Sequence, residues 1–171
     1  MAGIDLAQGA AAIVRDAGGH IVGRTKLQKI AFFLEAAGVG SGFPFRYKHY
    51  GPYSEALASA TQHAAARRLI VERESVAAWG GLYSTFHTQM PSDPSVHPAR
   101  TRLAQEMANA DAVELELAAT AAFLAYERFP DPWAETARRK PEKAEGGRLE
   151  RAKQLYLKLR QVPTPSPLPA I

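Results

Sequence analysis

The densest run of chemically capable side chains in this sequence is Tyr47-Lys48-His49-Tyr50-Gly51-Pro52-Tyr53-Ser54. Tyrosine rings stack on bases or anchor a partner protein. Tyr47, His49, Tyr50 and Tyr53, with Trp79 further along, are therefore the candidate partner-binding residues. The plainer alternative is that these rings plug the junction between a strand and a helix. A second set is basic: Arg24, Lys26, Lys29, Arg46, Lys48, Arg67 and Arg68. Each Lys or Arg placed on a phosphate releases counterions, so this cluster predicts salt-sensitive contact with DNA or RNA. Lys26 and Lys29 equally suit a solvated helix surface, and Arg67-Arg68 suits the negative end of a helix dipole.

Little in the chain recommends an enzyme. His20, His49, His63, His87 and His97 are scattered, and no His pair brackets a Glu at metalloprotease spacing. Phosphate-binding glycine loops and nucleophile elbows are missing. Glu72 and Glu74 share one strand face, which reads as a solvated face. The chain has no cysteine, which excludes disulfides, thiolate zinc, iron–sulfur clusters and a thiol nucleophile. No cofactor, metal or catalytic residue is expected. A hydrolase would become credible if folding gathered two histidines and a carboxylate into one pocket.

Charge is unevenly spread. The 171 residues carry a formal net charge of +4. Residues 15–73 contribute +5, residues 74–133 contribute −5 and residues 134–160 contribute +5. The acidic block contains the most apolar helix, so its acids are expected to pair with the basic final helix. That pairing would make the second basic block structural and leave residues 24–73 as the part that bears on nucleic acid. No apolar run is long enough to cross a membrane, and the first residues lack the basic start of a secretory signal. A soluble, cytoplasmic protein is expected.

The elements that would position these residues follow from periodicity. Residues 5–17 read as a helix capped by Asp5 and stopped by Gly18-Gly19. Residues 25–37 carry an apolar stripe, with Thr25 and Gln28 spaced as a capping box. Residues 43–50 alternate as an edge strand. Ser54 caps a helix to about Arg67, and residues 69–74 and 82–89 form a hairpin around Gly80-Gly81. Helices over 99–109, 111–128 and 148–160 complete the chain; the second is apolar on two faces and so central. The expected fold is α+β and mainly helical, a winged-helix-like bundle of about five to six helices with a strand and a β-hairpin. Residues 1–160 form a single domain in this reading, and the Pro-rich residues 161–171 a flexible tail. The linker over 38–53 is longer than a helix-turn-helix allows, so any such arrangement is a variant.

The order Gly23-Arg24-Thr25-Lys26-Leu27-Gln28-Lys29-Ile30, then a strand, then Tyr50-Gly51-Pro52-Tyr53-Ser54-Glu55-Ala56-Leu57, resembles the YwgA family of bacterial and archaeal proteins. The stretch Leu115–Thr120, with Lys140-Pro141 and the basic last helix, is similar to that family's C-terminal half. Panacea domains, whose members act as antitoxins that neutralise toxin proteins, are similar at greater distance. The resemblance implies a compact helical domain with a wing-like hairpin and a binding role, and no established reaction. Two functions follow. The first is a regulatory or defence-associated module contacting nucleic acid through residues 24–73. The second is an antitoxin-like or complex-forming protein that binds a partner through an aromatic surface. The oligomeric state is not legible in the sequence.

Overall fold

The computed structural model describes residues 5–171. The first four residues of the expected 1–160 domain lie outside that range. In chain order come α1 (Leu6–Asp16), β1 (His20–Val22), α2 (Arg24–Ala36), β2 (Arg46–Lys48), β3 (Gly51–Tyr53) and α3 (Glu55–Ala66). Next are β4 (Val71–Val76), β5 (Leu82–His87), α4 (Pro98–Ala108), α5 (Ala112–Tyr126), α6 (Pro132–Arg139), α7 (Pro141–Ala144) and α8 (Arg148–Arg160). The fold is α+β and mainly helical. It holds more elements than expected: eight helices and five strands among the described residues.

The N-terminal half has the order of a winged helix, helix–strand–helix–helix–hairpin, with one insertion. The main sheet is antiparallel in the order β1-β5-β4. His20, Ile21 and Val22 of β1 pair with His87, Phe86 and Thr85 of β5. Residues 43–50, expected as one edge strand, instead turn at His49-Tyr50 into a second, two-stranded ladder that pairs Arg46 with Tyr53. This small hairpin is the insertion between α2 and α3. Gly51 makes it possible twice over: its φ is +86°, and a Cβ there would lie 2.5 Å from Thr120 Oγ1 on α5.

The helices begin and end for local reasons. Asp5, Ser54, Asp111 and Asp131 each accept a backbone N–H and cap α1, α3, α5 and α6. The capping box expected at Thr25 and Gln28 does not form. Helix α2 starts one residue earlier, after Gly23, with no side-chain cap. Gln28 faces inward and is put to other use, described below. Helix α5 lies at the centre, as its two apolar faces require: residues 115–122 are all buried, and it packs on α2, α6 and α8. Charged pairs tie the layers together. Arg100 of α4 reaches Asp16 of α1 at 2.6 Å with both side chains buried, and also donates to Val39 O. Burial pushes the Asp16 carboxyl up, but its bonds to Arg15 and Arg100 outweigh that and hold it below the usual range.

Residues 161–171 lack regular structure, yet they are docked rather than free, and the expected flexible tail gives way. Val162 and Leu168 are buried in the same apolar core as α1, α2 and α5. Ser166 N donates to Ala37 O, Arg160 Nε to Leu168 O and Tyr156 Oη to Pro169 O. A Pro-rich strap loses little backbone entropy on ordering, because its φ angles are already restricted. Leu168→Ala is expected to lower the unfolding free energy by about 2–3 kcal/mol, measured by urea denaturation. An effect below about 0.5 kcal/mol would mean the strap contributes nothing to stability.

Candidate functional site

The two sequence motifs meet face to face across one cavity. Arg24, Thr25, Leu27, Gln28 and Lys29 at the start of α2 form one wall, and Tyr50 and Tyr53 of the inserted hairpin form another. Ala58, Thr61 and Gln62 of α3 and Glu72 and Phe86 of the sheet close the remaining sides. The cavity holds about 270 Å³ and its lining is mainly apolar.

Four hydrogen bonds from three side chains hold the His49–Ser54 wall. Gln28 donates through Nε2 to Ser54 O at 2.9 Å and accepts the Ser54 N–H at Oε1 at 2.8 Å, closing a reciprocal pair with the backbone. Lys29 Nζ donates to Pro52 O at 2.7 Å. Lys140 Nζ donates to His49 O at 3.0 Å. These side chains give the carbonyls of His49, Pro52 and Ser54 buried partners.

Beneath the turn lies a buried ionic cluster. Glu116 of α5 accepts from Lys140 at 2.8 Å and from Lys143 at 2.8 and 2.9 Å. Glu116 is 3% exposed and Lys140 7%, so both charges are withdrawn from water. The Lys143 ammonium also sits 4.8 Å from the centre of the Tyr50 ring. Burial pushes the Lys29 amine down to about 7; Glu116 opposes this, while Lys140 and Lys143 reinforce it. The expected pairing of the central helix's acids with the basic last helix is made by Glu114, while Glu116 pairs with lysines that precede that helix. Glu116 takes Lys140 and Lys143, and Glu114 takes Arg151 of α8.

This geometry redistributes the basic candidates. Lys29 is 1% exposed and cannot reach a phosphate. Lys26 Nζ donates to Ala108 O and Ala110 O, capping the C-terminal end of α4. Arg24 pairs with Glu72 and Glu74, Lys48 with Glu55, and Arg67 with Asp5. Arg46 and Arg68 alone of the seven make neither an ion pair nor a side-chain hydrogen bond among the described residues. Helix α3 precedes the β4–β5 hairpin in the chain, the order in which a winged helix carries its groove-reading helix. Its exposed side carries Glu55, Ser59, Gln62, His63 and Ala66, with no Lys or Arg.

The aromatic candidates divide. Tyr47 packs against Phe123 of α5 and under the Arg139 guanidinium, so it is a junction residue. His49 is exposed at the turn, and Tyr53 is half-buried, with the Lys48 ammonium 5.0 Å from its ring centre. Tyr50 is 56% exposed and Trp79, in the β4–β5 turn, 78%. Between them, Val76 and Leu82 form a directly opposed pair on the same sheet face as Glu72 and Phe86, and both are largely exposed. A shallower pocket lined by Arg24, Thr25, Glu74 and Leu82 links this apolar wing tip to the main cavity. Tyr50, the cavity, the Arg24–Glu72–Glu74 bridge and the wing tip thus make one continuous face.

Sequence reasoning passed over Gln28 as a functional-site residue, as well as Glu116, Lys140 and Lys143. Lys140-Pro141 was noted only as part of a resemblance. It also left His20 and His87 unconnected; the sheet pairs them directly, 3.3 Å apart at Nδ1. No carboxylate accompanies them in the adjoining groove, so the hydrolase arrangement does not assemble there. No cluster of three or more metal-ligating side chains occurs among the described residues. Nor is any helix among them long and apolar enough to cross a membrane. No family model matches the chain, and no match is found among curated proteins or solved structures.

Proposed function

We propose that this is a protein-binding module that docks a partner on the face running from Tyr50 to the wing tip at Trp79. The observation that carries this reading is the pairing of exposed apolar and aromatic side chains with a cavity at one end of a continuous face. Exposed apolar patches of this kind mark interaction sites, and Tyr and Trp are the residues most enriched where binding energy concentrates. The Gln28, Lys29 and Lys140 bonds hold the Tyr50 turn rigid before binding, which lowers the ordering cost of association. The resemblance to Panacea antitoxins points to the same class of partner. The alternative, nucleic-acid contact through residues 24–73, loses support because five of its seven cations are engaged internally.

The test is affinity capture from the source cells with three baits: wild type, Tyr50→Ser/Trp79→Ser, and the off-face control Leu157→Ser. A protein retained by wild type and the control, and lost by the double variant, is the expected outcome. Equal capture by all three baits would overturn the reading. So would salt-sensitive retention on duplex DNA that the double variant keeps and Arg46→Gln abolishes.

A further inference from the structure

The opposite face of the wing sheet carries a different surface. The strand registers place His20 and Val22 of β1, Thr85 and His87 of β5, and Val71, Arg73 and Ser75 of β4 side by side. Their neighbours Ile21, Phe86 and Glu72 point inward, so this set faces solvent. It contains no Asp or Glu. At its edge, Arg73 and His87 line a groove of about 560 Å³ with Arg68, Thr88, Gln89 and Gly19. Neither Arg68 nor Arg73 is within ion-pair distance of a carboxylate among the described residues, unlike Arg24 and Arg67 nearby. His20 and His87 add two imidazoles that meet at Nδ1, 3.3 Å apart.

Arg68 is held there against its backbone preference. Its φ is +60°, in the left-handed region that closes α3, where glycine is the usual residue. An arginine at such a position costs stability relative to glycine, as it does at Arg128, which closes α5 with a φ of +64°.

We propose that this groove binds a phosphate group, held by Arg68 and Arg73 with the His20–His87 pair as a proton-linked donor. Arginine forks match phosphate oxygens with paired donors, and imidazolium adds a charge-assisted bond. The local field already reflects an unmet positive charge: the His87 ring is held below its ordinary value by burial, by His20 and by Arg73. A bound anion reverses that field and favours protonation. Binding should therefore strengthen as pH falls through the histidine range. The groove is on the far side of the sheet from the docking face, so the two readings stand or fall separately.

The test is a histidine NMR titration in sodium chloride and in sodium phosphate at equal ionic strength. Phosphate is expected to raise the midpoints of His20 and His87 by about one unit and to leave the exposed His63 and His97 unmoved. Arg68→Gly removes a guanidinium while relieving the backbone, so its melting temperature should not fall, yet phosphate affinity should drop about ten-fold. Arg73→Gln should do the same. A parallel titration with a short single-stranded oligonucleotide separates the sources. Tighter binding than inorganic phosphate assigns a polymer, and no gain per phosphate assigns a free anion. Identical His20 and His87 midpoints in chloride, phosphate and oligonucleotide would overturn the proposal.

Discussion

Glu116→Gln is expected to lower the unfolding free energy by about 3–5 kcal/mol, the usual cost of removing one member of a buried ionic pair. The reason is the arrangement under the Tyr50 turn. Glu116 accepts from both Lys140 and Lys143, and its charge also favours the protonated form of Lys29. A neutral amide leaves Lys140 buried and positive without a counter-charge, with only neutral oxygens such as His49 O to accept from it. Lys143, about one-third exposed, can turn to solvent and escapes most of the penalty. The double variant Glu116→Leu/Lys140→Met removes both charges and should recover most of the loss, since an apolar pair of similar volume tolerates the site. Urea denaturation of Glu116→Leu, Lys140→Met and the double variant reads the coupling directly. A cost below about 1 kcal/mol for Glu116→Gln would mean the cluster is hydrated rather than buried.

The second large effect is a pH dependence. Lys29 titrates near 7 in the folded chain against an ordinary value of 10.5. Between those values the unfolded chain holds a proton that the folded chain has released. Stability therefore rises with pH across that window and is flat below it. From pH 7 to 10 the gain from this one group is about 4 kcal/mol. Lys26, lowered chiefly by burial, has the same sign, so some slope survives without Lys29. Tyr156, raised by burial, acts in the opposite sense and only above pH 10. Lys29→Met should flatten the curve. It should be more stable than wild type at pH 7, and less stable at pH 10 by about 1 kcal/mol, the worth of the lost bond to Pro52 O. Parallel curves for the two proteins would show that Lys29 stays charged in the fold.

Where the pattern was local, the sequence was readable. Helix α8 runs over residues 148–160 as its amphipathic spacing predicts, and α3 begins after its Ser54 cap. The β4–β5 hairpin falls where two β-rich runs flank Gly80-Gly81. Strand β1 was not legible, because three residues become a strand only through β5, which lies more than sixty residues later. Gln28 misled for a similar reason. Its spacing from Thr25 imitates a capping box, and nothing local reveals that Ser54 supplies better partners. The Pro-rich end looked flexible by composition, although Val162 and Leu168 are apolar residues able to enter a core. The charge count misled most. Formal charge does not record that Lys29 is buried, that Lys26 caps a helix, or that Arg24 spans two glutamates. Tyr50, Trp79 and Tyr47 were all selected by residue type; the first two are exposed, and Tyr47 is a packing residue.

The docking face is tested most directly at Trp79 itself. The chain has two tryptophans, and Trp133 is buried against Tyr156, so Trp133→Phe leaves Trp79 as the sole emitter. Iodide quenching is then measured with and without the protein that wild type captures. Saturating partner is expected to shift the Trp79 emission to shorter wavelength and to cut its quenching at least two-fold, because a side chain 78% exposed becomes covered. Unchanged emission and quenching in a complex shown to have formed would contradict the account, and would place the partner on another surface.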